Sequence, residues 1–145
     1  MPLRIIEHGT GDYLEMIKLR DDILRKPLGL SFSAEELVAE RDDILVAAFD
    51  KEQLIACCVL SVAEKGSIRL RQMAVSPSVQ GKGIGRDLIH FAENVARDQG
   101  FTRMIMHARS TAIGFYEKMG YTVTGNEFVE VTIPHYTMQK TLTVS

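Results

Sequence analysis

Residues 68–107 confine the fold more tightly than any other part of the chain. Ile68 to Val75 is a β-rich run, Ser76-Pro77-Ser78 breaks it, and a glycine cluster follows. Ile84, Leu88, Phe91, Ala92, Val95 and Ala96 then recur at helical spacing as far as Gly100, and Thr102 to His107 is again strand-like. A crossover of this length makes the two strands, if they pair, parallel neighbours. The chain before it follows a different rule. Ile44 to Phe49, Leu54 to Val62 and Ile68 to Val75 are joined only by Asp50-Lys51-Glu52-Gln53 and by Glu64-Lys65-Gly66, connections so short that the three strands must form an antiparallel meander. A mixed, mainly antiparallel sheet with helices on both faces is the expected α/β architecture.

The flanks add shorter elements. Leu3 to Glu7 reads as an opening edge strand, and Thr10 or Asp12 offers an N-cap for a helix with Leu14, Ile17 and Leu24 on one side, ended by Pro27 and Gly29. Lys26 to Phe32 reads as a loop, and Ser33 with Glu36 forms a capping box for a short helix to about Arg41. Ser110 is expected to cap a helix carrying Ile113, Tyr116 and Met119, with Gly120 as its left-handed C-terminal residue. Tyr121 to Thr124 and Tyr136 to Leu142 read as strands, and Asn126 to Pro134 as a partly extended connection.

Composition narrows the class. With 145 residues, 46% of them hydrophobic, the chain has material for one domain with a core, so residues 1–145 are expected to form a single domain. A formal net charge of -2 argues against a nucleic-acid binder and against a polybasic membrane anchor. The N-terminal MPLRIIEHGT lacks the apolar core of a secretory signal, and no run approaches the roughly 18 apolar residues of a membrane span. Cys57 and Cys58 are neighbours in an apolar run, where successive side chains point to opposite faces and form no ordinary disulfide. A soluble cytoplasmic protein is expected.

The strongest chemical signal is Gln80-Gly81-Lys82-Gly83-Ile84-Gly85-Arg86, set between a strand and the first turn of a helix. A helix start presents N–H groups without intrahelical partners and the positive end of the macrodipole, and glycines let a phosphate approach that backbone. Lys82 and Arg86 add positive charge, although a glycine-rich surface turn has the same composition. A P-loop needs Lys followed by Ser or Thr, and a dinucleotide fingerprint needs glycine where Arg86 stands, so neither fits. In the preceding strand the apolar residues change face between Leu70 and Met73, which is what one extra residue in a strand produces. Such a bulge would splay the strand from its neighbour and free backbone groups of Met73 and Val75 for an extended ligand, whereas a strand buried on both faces gives the same pattern.

The loop pattern Gln-x-x-Gly-x-Gly resembles that of GNAT acetyltransferases, the GCN5-related N-acetyltransferases. Leu70 to Val75 with Ser76-Pro77 is similar to the family's strand before the loop, and Ala112-Ile113-Gly114-Phe115-Tyr116-Glu117-Lys118-Met119-Gly120-Tyr121 is similar to its second signature. The order of elements agrees over essentially the whole chain. The resemblance implies a GNAT fold, a sheet splayed in the middle, with acetyl-CoA as co-substrate and no metal. It places the pyrophosphate on Gln80, Gly81, Lys82, Gly83, Ile84, Gly85 and Arg86, and the pantetheine arm along Met73, Ala74 and Val75. It also implies N-acetyl transfer to a primary amine by direct attack in a ternary complex. A catalytically silent CoA-binding sensor and a transferase of longer acyl groups are the alternatives. The acceptor is unidentified and a homodimer is left open.

Acetyl transfer needs a neutral amine and a proton for the departing thiolate; free amines have a pKa near 10.4 and thiols near 8.5. By periodicity alone Tyr116 is a helix tyrosine packed against the sheet; the resemblance makes it the acid at the CoA sulfur. For a base or substrate contact, Glu130 and His135 are the candidates, with His107 third. Arg109 stands where many relatives have a strand-end Asn. Arg20, Arg25 and Phe32 read as solvated helix face and core plug rather than acceptor lining.

Overall fold

The computed structural model describes residues 2–142. Its seven strands are β1 (Leu3–Ile6), β2 (Ile44–Asp50), β3 (Gln53–Val62), β4 (Ser67–Val75), β5 (Arg103–Arg109), β6 (Thr122–Glu130) and β7 (Ile133–Thr141). They form one sheet in the order β1-β2-β3-β4-β5-β7-β6. The helices are α1 (Gly11–Arg20), α2 (Ala34–Val38), α3 (Ile84–Asp98) and α4 (Ile113–Lys118). The chain divides into two compact units, Met1–Ser61 with Arg71–Ala92 and Val62–Leu70 with Glu93–Ser145.

In the first unit, β1 pairs antiparallel with β2, from Leu3↔Ala48 to Ile6↔Leu45, and β2 pairs antiparallel with β3. The β2–β3 turn places Lys51 and Glu52 at φ 49 and 69, the two left-handed residues of a tight hairpin. Alternate residues Leu45, Ala47 and Phe49 meet Cys57, Val59, Tyr13 and Met16 in a core that also takes Ala74. Thr10 caps α1, its side chain accepting from Tyr13 N at 3.4 Å, and the α2 capping box forms as expected between Ser33 and Glu36.

The buried face of α1 differs from the one expected. Leu14 is 68% exposed, whereas Tyr13, Met16 and Arg20 are buried. The cause is electrostatic. Arg20 Nη1 and Nη2 donate to Glu40 Oε1 and Oε2 at 2.8 and 2.6 Å, and Tyr13 Oη donates to Glu40 Oε1 at 2.8 Å. With both partners almost fully enclosed, Arg20 is an interior ion pair and not a solvated helix face. Phe32 lies under the guanidinium groups of Arg20 and Arg25, at 4.6 and 4.0 Å from ring centroid to Cζ.

In the second unit the crossover returns β5 parallel to β4, with Ser67↔Arg103 and Leu70↔Met106 at the two ends of the ladder. Along β5, Met104, Met106 and Ala108 are buried, and β7 pairs antiparallel from Arg103↔Thr141 to Arg109↔His135. The parallel ladder therefore stops at Leu70↔Met106, while the antiparallel one on the other side of β5 continues three residues further, to Arg109. The expected irregularity in β4 is present as Gln72, a left-handed residue at φ 52 within the strand.

Two expectations at the C-terminal end are corrected. No side chain caps α4; Ser110–Ala112 is instead a turn of 3-10 helix leading into it, and Gly120 takes the expected left-handed conformation at φ 95. Asn126 to Pro134 is a β-hairpin rather than a connection: β6 runs to Glu130, β7 starts at Ile133, and Val131 and Thr132 form the turn at φ 50 and 64. Two β-branched residues in that region carry no turn signal and are strained there. Pro134 pairs with Val129 and lies before the β5–β7 ladder begins at His135, so its missing N–H interrupts no ladder on that side.

Candidate active site

The glycine loop lies in the first unit. Ser76 N donates to Ile55 O at 2.8 Å, and Pro77–Val79 makes a single 3-10 turn with Val79 buried beneath it. Gln80 Nε2 donates to Val75 O at 3.1 Å, so this side chain ties the loop to the end of β4. The Val75 carbonyl, expected to be open, is engaged by that amide. Gly81 and Gly83 are left-handed at φ 83 and 78, a conformation an L side chain adopts only with strain. The first helical bond of α3 runs from Asp87 N to Gly83 O at 3.1 Å. The N–H groups of Ile84, Gly85 and Arg86 precede it and, as at any helix start, have no intrahelical acceptor. A side chain on Gly83 would meet Arg86 Nη2 at 3.4 Å, which puts that guanidinium directly beside the loop backbone. The donors, the glycine backbone and the cation fit a phosphate ligand.

The second unit gathers a charged cluster from four strands. Arg69 on β4 donates from Nη2 to His107 Nδ1 on β5 at 2.7 Å, and the same nitrogen is 3.4 Å from Glu130 Oε1 on β6. His107 Nδ1 is 3.1 Å from that Oε1, and Glu130 Oε2 is 3.8 Å from His135 Nε2 on β7. His135 Nδ1 lies 2.7 Å from Ile133 O; a carbonyl only accepts, so this nitrogen carries the proton and Nε2 is the basic one. Phe128 stands edge-on to His107 and stacked on His135, at centroid distances of 5.0 and 6.0 Å. Burial pushes the Glu130 carboxyl up, but its contact with His107, and with Arg69 and His135 beside it, outweighs this and holds it below the ordinary carboxylate value. A half-exposed carboxylate flanked by two imidazoles can take a proton or hold an ammonium group.

The three candidates Glu130, His135 and His107 are thus brought together, and His107, placed third on sequence, touches Glu130. Arg69 is the residue that sequence reasoning passed over. The only signal for it was an arginine on a strand with apolar neighbours on either side. Tyr116 lies on α4, half-buried, with its ring edge-on to Phe115 and Tyr121 at 5.1 and 6.1 Å. Beneath it, Tyr121 Oη donates to the buried Glu93 Oε2 at 2.7 Å and Lys140 Nζ donates to the same oxygen at 3.0 Å. Among the described residues, no group of three or more His, Cys, Asp or Glu is arranged to hold a metal ion, and no helix is long and apolar enough to cross a membrane.

The family described as "Acetyltransferase (GNAT) domain" matches residues 30–142. This chain belongs to the GNAT acetyltransferase family. An uncharacterized N-acetyltransferase of Chlorobaculum tepidum is 30% identical over 99 residues, 68% of this chain and 62% of that protein. The uncharacterized protein YyaT of Bacillus subtilis is 31% identical over 72 residues, and the match spans about half the length of each protein (50% and 49%). Among solved structures, an acyl-CoA N-acyltransferase from Pseudomonas aeruginosa superimposes with a TM-score of 0.83 at 18% identity, over 96% of this chain and 98% of that one. An aminoglycoside 6'-N-acetyltransferase complexed with coenzyme A gives 0.81 at 19% identity, over 100% and 99%. These likenesses establish the mixed, mostly antiparallel GNAT fold.

Proposed function

We propose that this protein transfers an acetyl group from acetyl-CoA to the nitrogen of a primary amine, by direct attack in a ternary complex. The observation that carries the reading is the loop Gln80–Arg86, with two left-handed glycines at the start of a 15-residue helix. Its backbone N–H groups, with Arg86 and Lys82, would hold the pyrophosphate, and the backbone of Met73, Ala74 and Val75 would hold the pantetheine arm. The coenzyme A bound to the aminoglycoside acetyltransferase of the same fold supports this choice of donor. Tyr116 gives a proton to the departing thiolate, and Glu130, with His135 beside it, receives the proton of the acceptor ammonium. Direct attack is favoured over a covalent acyl-enzyme because both cysteines are fully enclosed; burial above all pushes the Cys57 thiol up to about 12 and raises that of Cys58 as well.

A panel of primary amines incubated with acetyl-CoA, read by release of CoA thiol, tests the activity. Thiol release dependent on both the amine and the protein supports it, and a panel spanning small amines, aminoglycosides, amino acids and peptide N-termini without any such release speaks for the silent CoA-binding reading. A mutational pair tests the binding mode. Gly83→Asp forces an L side chain into φ 78 and places a carboxylate at the phosphate site, so it is expected to weaken CoA binding by at least about tenfold. Lys82→Ala removes one exposed cation and is expected to cost less than about threefold. Equal losses in calorimetry would mean that side-chain charge, and not backbone geometry, holds the ligand.

A further inference from the structure

His107 Nδ1 stands between two groups with opposite demands. Arg69 Nη2 at 2.7 Å can only donate, whereas Glu130 Oε1 at 3.1 Å, when ionised, can only accept. One ring nitrogen has either a lone pair or a proton, so it satisfies one neighbour at a time. The shorter contact decides the resting arrangement: Nδ1 accepts from Arg69, the ring proton sits on Nε2, and Arg69, 3.4 Å from Oε1, supplies the charge that holds the carboxylate beside an imidazole lone pair.

We propose that Arg69 and His107 are positioning residues for Glu130, holding an unprotonated Nδ1 against its carboxylate so that a proton taken up by Glu130 is shared with His107. This rests on the proton-acceptor role of Glu130 proposed above. In the step itself an N–H bond of the acceptor ammonium breaks, its electron pair stays on nitrogen, and the proton bonds to a Glu130 oxygen. That O–H then donates to His107 Nδ1, or passes its proton to Nδ1 to give an imidazolium–carboxylate pair. Either way the ring nitrogen that faced a like acceptor gains a hydrogen bond, which offsets part of the cost of protonating a carboxylate whose neighbours hold it below the ordinary value. The guanidinium cannot give up its proton, so Arg69 only donates and the lone pair on Nδ1 is preserved. Among the described residues, the charged and titratable groups found against the carboxylate are Arg69 from β4, His107 from β5 and His135 from β7. His135 already donates from Nδ1 to a carbonyl and reaches only the other oxygen, Oε2, at 3.8 Å, so it does not compete for the Oε1 bond.

Long-range 1H–15N correlation spectra of the histidine-labelled protein read the ring tautomer directly and need no acceptor. As a neutral ring, His107 is expected to carry its proton on Nε2. In Arg69→Met the proton is expected to move to Nδ1, where it donates to Glu130. Arg69→Lys, which keeps a donor and a charge, is expected to return part of the Nε2–H tautomer. Thermal melts establish that each variant is folded, and the lysine variant keeps the test decisive if the methionine one is not. An Nδ1–H tautomer in the wild type, or an unchanged tautomer in both Arg69 variants, overturns the proposal. The failure of the underlying reading looks different: Glu130→Gln with normal acetyl transfer removes the proton-acceptor role while leaving the tautomer shift in Arg69→Met in place.

Discussion

Replacing Tyr116 by phenylalanine is expected to lower kcat by about 10² to 10⁴ with any amine the protein accepts, and to leave CoA affinity nearly unchanged. The substitution keeps the ring and its edge-on contacts with Phe115 and Tyr121, so packing is retained and only the hydroxyl is lost. A group that donates to the departing thiolate acts mainly in the transition state, so its removal appears in kcat rather than in binding. The low basicity of a thiolate, whose conjugate acid has a pKa near 8.5, sets the loss toward the lower end of that range. Steady-state kinetics with CoA titration and melting of both proteins separate the cases. Normal kcat in a folded Phe variant rules Tyr116 out as the acid.

The second large effect is on stability. Arg20→Met leaves Glu40 buried with a negative charge and only the Tyr13 hydroxyl to solvate it, and breaking a buried pair in this way costs about 3–5 kcal/mol. For a chain of 145 residues that corresponds to a fall in Tm of about 10–16 °C. The double variant Arg20→Met with Glu40→Leu is expected to regain most of the loss, because desolvation disappears together with the pair and Tyr13 Oη keeps the Leu37 carbonyl at 3.3 Å. Denaturant titration of the three proteins measures this. A single variant as stable as wild type would mean that the pair adds nothing net, and a double variant worse than the single one would mean that the charges are needed for packing.

The parts of the fold legible in the sequence are those governed by spacing along the chain. The parallel crossover, the meander, the Ser33 capping box and the left-handed Gly120 each follow from local chemistry and reappear at the expected residues. What escaped was set by partners distant in sequence. Arg20 looks like a surface residue until Glu40, twenty residues on, is seen to fold over it. The hairpin ending at Val131-Thr132 has none of the glycine or asparagine that announces such a turn, so the position of Glu130 beside His107 and Arg69, 23 and 61 residues away, was invisible. The irregularity in β4 lies at Gln72, between Leu70 and Met73 where the sequence changes apolar face, although Ala74 and not Met73 or Val75 is the buried residue beyond it. The glycine loop was legible because the left-handed backbone at Gly81 and Gly83 depends on residue type alone.

Isothermal titration calorimetry of acetyl-CoA into the wild-type protein tests the central claim most directly. The account predicts saturable one-to-one binding, a rise in Tm with ligand concentration because the ligand binds only the folded chain, and a marked loss of both in Gly83→Asp. Absence of binding by acetyl-CoA and by CoA at millimolar concentration, in a protein shown by its melt to be folded, would contradict it.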